Sequence, residues 1–437
     1  MSFFRNAASV LFTSAVLVPI GVVSGVVLTR NLSVEDRGTF GVVAALLSTA
    51  VLFLNLGWPA SAVFRIKRLG LPPARVAGQG LMKLALLSAA LVGAGVLASA
   101  PLQALLGPNV PTNVLFWTLV TVPCALVIRY LSFVAQAIER FDLRAWAIFF
   151  GATLRLAGLA AALYFVPGNL LACVLAVFGA QLVIALFSTV SVLRSTGFAL
   201  RGPPDPPETA SQTRAFSFAS YTQNMLGELH EHVDILMLGL LLEDKTEVAV
   251  YGVAVTVVTQ LKLVPDSIAT ALFPRIAGES PEQAARFASM VSRHATAAAI
   301  LGAAGLAVVG PTLVELLYGE AYAASAAPLR ILLPGMAVYT AYRVLARYFV
   351  ALGRQRVNIT TQALAVSVNV GLNLWLIPRH GAVGAAIASL VSYSLEALLV
   401  GAAFLRASGQ SFRETFVFDW SRDREPYLRR LRARFRA

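Results

Sequence analysis

"TRNLSVEDRGTFGVVAALLSTAVLFLNLGWPASAVFR" runs from Thr29 to Arg65. Arg30 and then three adjacent charges, Glu35-Asp36-Arg37, open it, and no further charge follows until Arg65. An apolar run of about 20 residues crosses a hydrocarbon core of roughly 30 Å. This run is longer than that and lacks strict alternation, so it reads as a helix rather than a barrel strand. Only those two structures satisfy every backbone group inside lipid.

Similar runs recur along the whole chain. Twelve spans are predicted, at 7–28, 39–64, 81–100, 113–138, 145–166, 170–193, 217–242, 249–273, 290–311, 325–350, 357–378 and 381–405. The chain is 57% hydrophobic and 13% charged, whereas a soluble domain carries about 25% charged residues. The fold class is therefore an all-α integral membrane protein. The first run is too long for the apolar region of a cleavable signal, and eleven more follow it.

Loop arginines and lysines set the orientation. With the N-terminus in the cytoplasm, the inner loops hold fourteen of them, Arg65, Lys67, Arg68 and Arg75 among these, and the outer loops only Arg30, Arg37, Lys245 and Arg379. Both termini are expected inside. The net charge of +13 then follows from inner loops and from a tail with nine arginines between Arg406 and Arg436. No nucleic-acid partner is needed. Cys124 and Cys173 fall within spans and offer neither a disulfide framework nor metal spacing.

"LRGPPDPPETASQTR" (Leu200 to Arg214) is a Pro-rich polar linker after the sixth span. It divides the chain into an N-terminal lobe (1–200), a cytoplasmic linker (201–214), a C-terminal lobe (215–405) and an Arg-rich tail (406–437). The lobes rhyme. Phe40-Gly41-Val42-Val43 opens the second span and Ala62 to Ile66 closes it; Tyr251-Gly252-Val253-Ala254 opens the eighth and Ala271 to Ile276 closes it. A shared direction makes this a parallel repeat, with its pseudo-two-fold axis along the membrane normal. Chance likeness between apolar strings is the alternative.

The stretch Thr29 to Arg65 resembles the first hairpin of the polysaccharide flippases, within the multidrug/oligosaccharidyl-lipid/polysaccharide exporter superfamily. "DILMLGLLLEDKTEVAVYGVAVTV" (Asp234 to Val257) is similar to their seventh and eighth spans, and the stretch Ala346 to Ser389 carries a third likeness. The resemblance implies two six-helix lobes around a V-shaped central cavity that opens to alternate sides. It implies a lipid-linked oligosaccharide as cargo, with membrane lipids and polysaccharide polymerase machinery as partners, and residence in the cytoplasmic (inner) membrane. It implies no cofactor beyond a coupling H+ or Na+.

Charge inside a membrane is expensive and points to function. Counted from the cytoplasmic ends at 1.5 Å per residue, Arg129, Arg155, Lys262 and Arg343 lie roughly 10–17 Å deep, in one layer on four spans. Such a layer would meet the diphosphate of an incoming cargo lipid. Ordinary ion pairs are the other reading: Lys262 with Asp266, or Glu396 with any of the arginines.

"GELHEHVD" (Gly227 to Asp234) gathers Glu228, His230, Glu231, His232 and Asp234 on the seventh span. Glu228, Glu231 and His232 share one face, and His230 with Asp234 another. A Glu228–Lys262 contact is expected. The resemblance places an acidic family position at Asp234. One helix offers at most two or three ligands to a metal, with no HExxH or CxxC beside them. A hydrolytic centre lacks a long outer loop. A polar cavity wall that binds sugar or exchanges protons or sodium, and plain packing between helices, remain.

Asn55, Asn224, Asn369 and Asn373 can bond sugars or neighbouring helices, and Pro19 and Pro265 can bend their spans. The tail face of Leu428, Leu431 and Phe435, flanked by arginines, can lie on anionic lipid. The expected function is flipping of a polyprenyl-diphosphate-linked oligosaccharide for O-antigen, capsule or exopolysaccharide synthesis. The rivals are an ion-coupled multidrug exporter, a membrane glycan polymerase or ligase, and a scaffold.

Overall fold

A computed structural model describes residues 2–107, 110–197, 207–262 and 280–418. In chain order these form α1 (Ser2–Asn31), α2 (Val34–Leu54), α3 (Trp58–Lys67), α4 (Pro73–Leu106), α5 (Thr112–Ala137), α6 (Phe141–Phe165) and α7 (Leu170–Thr196). Then come α8 (Pro207–Leu241), α9 (Thr246–Val258), a 3-10 turn (Thr259–Lys262), α10 (Pro281–Tyr318), a second 3-10 turn (Glu320–Ser325), α11 (Ala326–Ala351), α12 (Gln355–Ser408) and the short α13 (Phe412–Phe416).

Seven of the described helices are long and apolar enough to cross a membrane. One of them, the 54-residue α12, is two spans joined at Gly381, where φ is 52° and ψ −131°. The remaining predicted spans fall on α1, α4, α8 and α9. Within the Pro-rich stretch α8 begins at Pro207, and residues 198–206 lie outside the described residues. Asp266, Pro265, the Ala271–Ile276 half of the repeat and the tail beyond residue 418 also lie outside them.

The opening stretch differs from its reading in one respect. The span expected at 39–64 is two helices. Ser33 caps α2, accepting from the Asp36 amide at 3.0 Å, and Glu35 and Asp36 sit favourably in its first turn. The helix stops at Asn55. The Asn55 amide donates back to Leu52 O at 2.7 Å, and its carbonyl accepts from Gly57 N at 2.9 Å. Leu56 and Gly57 then take positive φ before Pro59 helps start α3. A Cβ on Gly57 would stand 2.5 Å from Ser217 O of α8, so glycine here serves both the turn and a close helix crossing.

Helices α1–α7 form one lobe and α8–α12 the other. Their contact is uneven along the membrane normal. Near the end expected outside, Val42, Val43, Val110 and Val114 share one core with Leu238, Val248, Val253 and Ala254 of the second lobe. Gly38 of α2 meets the Lys245 backbone so closely that a Cβ would stand 1.7 Å from its oxygen. Lys245 itself is buried and donates to Gly239 O at 2.7 Å and Leu242 O at 2.6 Å, satisfying carbonyls at the end of α8. Burial lowers its pKa, and Glu243, Asp244 and Glu35 pull it back up. Arg30 of α1 likewise donates to Leu317 O at 3.0 Å and Leu316 O at 2.6 Å at the end of α10.

Toward the opposite end the first lobe has a separate core, around Val76, Leu126, Leu131 and Val134. There the Lys67 ammonium bonds the exposed Glu139 carboxylate and holds its pKa below the ordinary value. The lobes are fused by apolar packing at one end, and toward the other they are joined by contacts that include Tyr221 OH to Phe53 O and Arg129 to Glu228.

Candidate polar site between the lobes

α8 carries all five ionisable residues of the Gly227–Asp234 stretch, and the helix sorts them onto two faces. Glu228 and Glu231 point to cations. His230 and Asp234 point into the second lobe.

Arg129 of α5 grips Glu228 through both prongs of its guanidinium. One bond, Nη1 to Oε2, is 3.1 Å; the second joins Nη2 and Oε1. Lys262, at the end of the 3-10 turn, lies 3.1 Å from Glu231, and Arg343 of α11 reaches the same oxygen at 4.0 Å. The expected Glu228–Lys262 contact is therefore replaced by two others. Side chains lean toward the N-terminus of their own helix. α8 and the α9 segment run antiparallel, so Lys262 and the glutamates lean toward each other, and Lys262 meets its acid one turn further along, at Glu231. Glu228 is left for Arg129 on the opposite lobe.

The cation layer is correspondingly narrower than four residues. Arg129, Lys262 and Arg343 converge. Arg155 of α6 does not join them; it lines another pocket of about 820 Å³ with Gln181, Ile184 and Ile128, and makes no ion pair with a described residue.

Behind the glutamates lies a buried polar network, in which Asn373 Oδ1 and His230 Nδ1 make no hydrogen bond. Asp234 accepts from Tyr251 OH at 2.6 Å, from Asn373 Nδ2 at 2.7 Å and from the Ser389 hydroxyl. Asn373 also donates to Asn369 Oδ1 at 2.9 Å. Asn369 in turn approaches the Ser392 hydroxyl at 3.3 Å, and that hydroxyl lies 3.1 Å from His230 Nε2. The other ring nitrogen, Nδ1, lies 3.1 Å from the Glu396 carboxylate, with both side chains 0% exposed. Glu396 pairs with histidine and not, as expected, with an arginine. Buried polar groups cost least when each finds such partners.

Tyrosines floor the site. Tyr339 stacks on Tyr342 with centroids 5.0 Å apart, and Tyr393 lies 4.8 Å from Tyr339 and 4.9 Å from His230. The Lys262 ammonium sits 5.9 Å above the Tyr339 ring. One open pocket, with about 800 Å³ of free space, is lined by Asn224, Glu228, Glu231, Tyr342, Arg343 and Arg347. A neighbouring one of about 590 Å³ holds His232 beside Lys262, Asp234 and Tyr251. Sequence reasoning missed the tyrosines, Ser389 and Ser392. A signal existed for the serines: Ser389, Ser392 and Glu396 are spaced i, i+3, i+7, a polar stripe on one face of an apolar helix. Among the described residues no three His, Cys, Asp or Glu side chains are gathered as metal ligands.

Comparison with known proteins places this architecture. The family described as "Polysaccharide biosynthesis protein" matches residues 4–278, more than half of the chain. The family described as "Lipid II flippase MurJ" matches residues 246–420. A curated relative, the probable low-salt glycan biosynthesis flippase Agl15 of Haloferax volcanii, is 22% identical over 199 residues. That stretch is 44% of this chain and 42% of the relative, so the match spans under half of the relative's length.

Among solved structures, lipid II flippase MurJ in an inward closed conformation superposes with a TM-score of 0.73 at 11% identity, covering 91% of this chain and 89% of that one. An inward-facing multidrug resistance MATE family transporter of the MOP superfamily gives 0.73 at 14% identity, covering 89% and 94%. A MOP superfamily transporter from Pyrococcus furiosus gives 0.65 at 14%, covering 93% and 95%. At these identities the likeness concerns the fold, a two-lobe arrangement of twelve membrane helices. With that fold and a family match across the first lobe and into the second, the chain belongs to the polysaccharide biosynthesis protein family, the polysaccharide flippases of the multidrug/oligosaccharidyl-lipid/polysaccharide exporter superfamily.

Proposed function

We propose that this protein moves a polyprenyl-diphosphate-linked oligosaccharide from the cytoplasmic to the outer leaflet by alternating access, for O-antigen, capsule or exopolysaccharide synthesis. The observation that carries this is that Arg129, Lys262 and Arg343 converge on Glu228 and Glu231, which line a polar pocket of the second lobe beside the lobe boundary. A guanidinium fork suits phosphate oxygens, and charge-assisted bonds are the strong ones. The tyrosine floor and Asn224 offer ring faces and an amide to sugars. Arg155, in its own pocket, offers the same phosphate chemistry. The glycan flippase named among the relatives, and the MurJ match over the second lobe, support the reading. H+ or Na+ is the proposed coupling ion, with Asp234 and His230 as the groups that would take it.

Deleting the gene is expected to leave lipid-linked glycan stranded on the cytoplasmic leaflet. Arg129→Ala and Lys262→Ala are expected to insert normally and to lower export about tenfold or more, since hydrogen bonds to charged groups contribute about 1.5–3 kcal/mol. Normal outer-leaflet glycan with altered drug sensitivity would instead favour ion-coupled multidrug export, the reading to which the MATE-like fold lends support.

The proposed location is the cytoplasmic membrane, with both termini inside. A cysteine at exposed Gln212, at the start of α8, is then expected to react only with reagents that enter the cell. Labelling of intact cells by an impermeant reagent would reverse the orientation.

A further inference from the structure

The cations of the site are not waiting bare. Arg129 holds Glu228 by two parallel bonds, and Lys262 with Arg343 shares Glu231. These pairs differ from the His230–Glu396 pair in one respect that matters. His230 and Glu396 are sealed, whereas the Arg129 and Glu228 side chains are 26% and 34% exposed, and Glu231 is 36% exposed. Both glutamates line the open pocket. A ligand entering that pocket reaches both glutamates and Arg343 directly.

We propose that Glu228 and Glu231 are internal counter-ions, which occupy the cations while the transporter is empty and are displaced by the diphosphate of the cargo. The proposal rests on the cargo reading above and adds a role for the acids. In the resting site Arg129, Lys262 and Arg343, with Arg347 on the same pocket, outnumber Glu228 and Glu231, so the site keeps a net positive charge. A diphosphate diester brings two negative charges. With the carboxylates swung aside, more of the positive charge of the site meets them than with the carboxylates in place. Partly exposed ion pairs are weak in net terms, so exchanging a carboxylate for a better-charged ligand on the same fork is cheap.

The exchange also has a mechanical consequence. Arg129 stands on α5 of the first lobe and Glu228 on α8 of the second, so their bond is an ion pair across the lobe boundary. It lies away from the shared apolar core, toward the end where polar contacts such as Tyr221 OH to Phe53 O at 3.0 Å join the lobes. Cargo that takes Arg129 from Glu228 removes one tie between the lobes as it binds. When the cargo reaches the other face, Glu228 and Glu231 compete for the cations again and expel it. A site of cations alone would bind the headgroup and keep it.

The test uses the full chain, purified in lipid nanodiscs, with inorganic diphosphate and undecaprenyl diphosphate as separate probes. Glu228→Gln keeps the shape and removes the competing charge. It is expected to bind both probes about five- to tenfold more tightly than wild type, while export in cells falls. Arg129→Ala is expected to bind them more weakly. Spin labels at Arg68→Cys and Arg354→Cys, in a chain lacking Cys124 and Cys173, report the lobe separation. Diphosphate is expected to change that distance in wild type, and Glu228→Gln to change it without ligand. Glu231→Gln serves as a second variant should Glu228→Gln insert poorly. If wild type binds diphosphate and both Gln variants bind it no more tightly, the counter-ion role is wrong and the cargo reading stands. If wild type binds neither probe, the cargo reading itself falls, and the counter-ion role with it.

Discussion

Asp234→Ala is expected to abolish export and to reduce the amount of folded protein sharply. Asp234 is 3% exposed and accepts bonds from Tyr251, Asn373 and Ser389, on α9 and on both halves of α12. Truncation removes the acceptor that three buried donors share, although Asn373 keeps its bond to Asn369 Oδ1 and Tyr251 OH lies 3.3 Å from the Ser389 hydroxyl. Each such loss costs about 1–3 kcal/mol. The losses do not add simply, because the groups share one network. Even a partial sum is a large part of the roughly 5–15 kcal/mol that holds a typical domain together. Asp234→Asn separates charge from bonding. Its amide oxygen still accepts, and the Tyr251 and Ser389 hydroxyls can rotate to receive its NH2 group. The Asn variant is expected to fold near wild-type level, so any export defect it shows reports on charge. Abundance after membrane extraction and the melting temperature in detergent are the measurements. An alanine variant that melts with wild type would mean the network does not support the second lobe.

Much of this architecture is legible in the residues because a bilayer simplifies the reading. Apolar runs long enough to span it can only be helices there, so the stretches on α5, α6 and α7 reveal themselves by length alone. The α2–α3 break was not legible. It depends on Gly57 letting Ser217 of α8 approach, a contact between residues 160 positions apart. Pro59 alone could equally have marked a mild kink within one helix. The two faces of the Gly227–Asp234 stretch were legible from helical periodicity, although Glu231 and His232 of one face and Asp234 of the other line a common pocket. The partners on each face were not. Depth along the normal is countable, but the rotation of one helix about its axis relative to another is not, and that rotation decides whether Glu228 meets Arg129 or Lys262. Arg155 illustrates the same limit: its depth matches Arg129, yet it lines a different pocket.

The pair His230–Glu396 allows stability and coupling to be separated in one set of variants. His230→Leu removes the neighbour that lies 3.1 Å from Glu396 and leaves that carboxylate within apolar and tyrosine surroundings. Removing one partner of a buried pair costs about 3–5 kcal/mol, whereas replacing both with apolar groups of similar volume is often neutral or stabilising. His230→Leu is therefore expected to lower abundance and melting temperature strongly, and the double variant His230→Leu, Glu396→Met to restore them. Ser392 loses its contact with the His230 ring in both cases but keeps its own donation to Ser389 O at 3.1 Å, so the rescue is not blocked there. Restored protein can then be reconstituted and assayed for transport across an imposed proton gradient. If the pair carries the coupling proton, wild type responds to the gradient and the rescued double variant exports at one rate with or without it. A rescued variant that still responds like wild type confines the pair to packing and moves the coupling to Asp234 or Glu231. Failure of the second substitution to rescue the first would show that the pair holds the helices together by more than mutual neutralisation, with the Tyr339–Tyr393 ring cluster, at 4.8 Å between centroids, the next contact to examine.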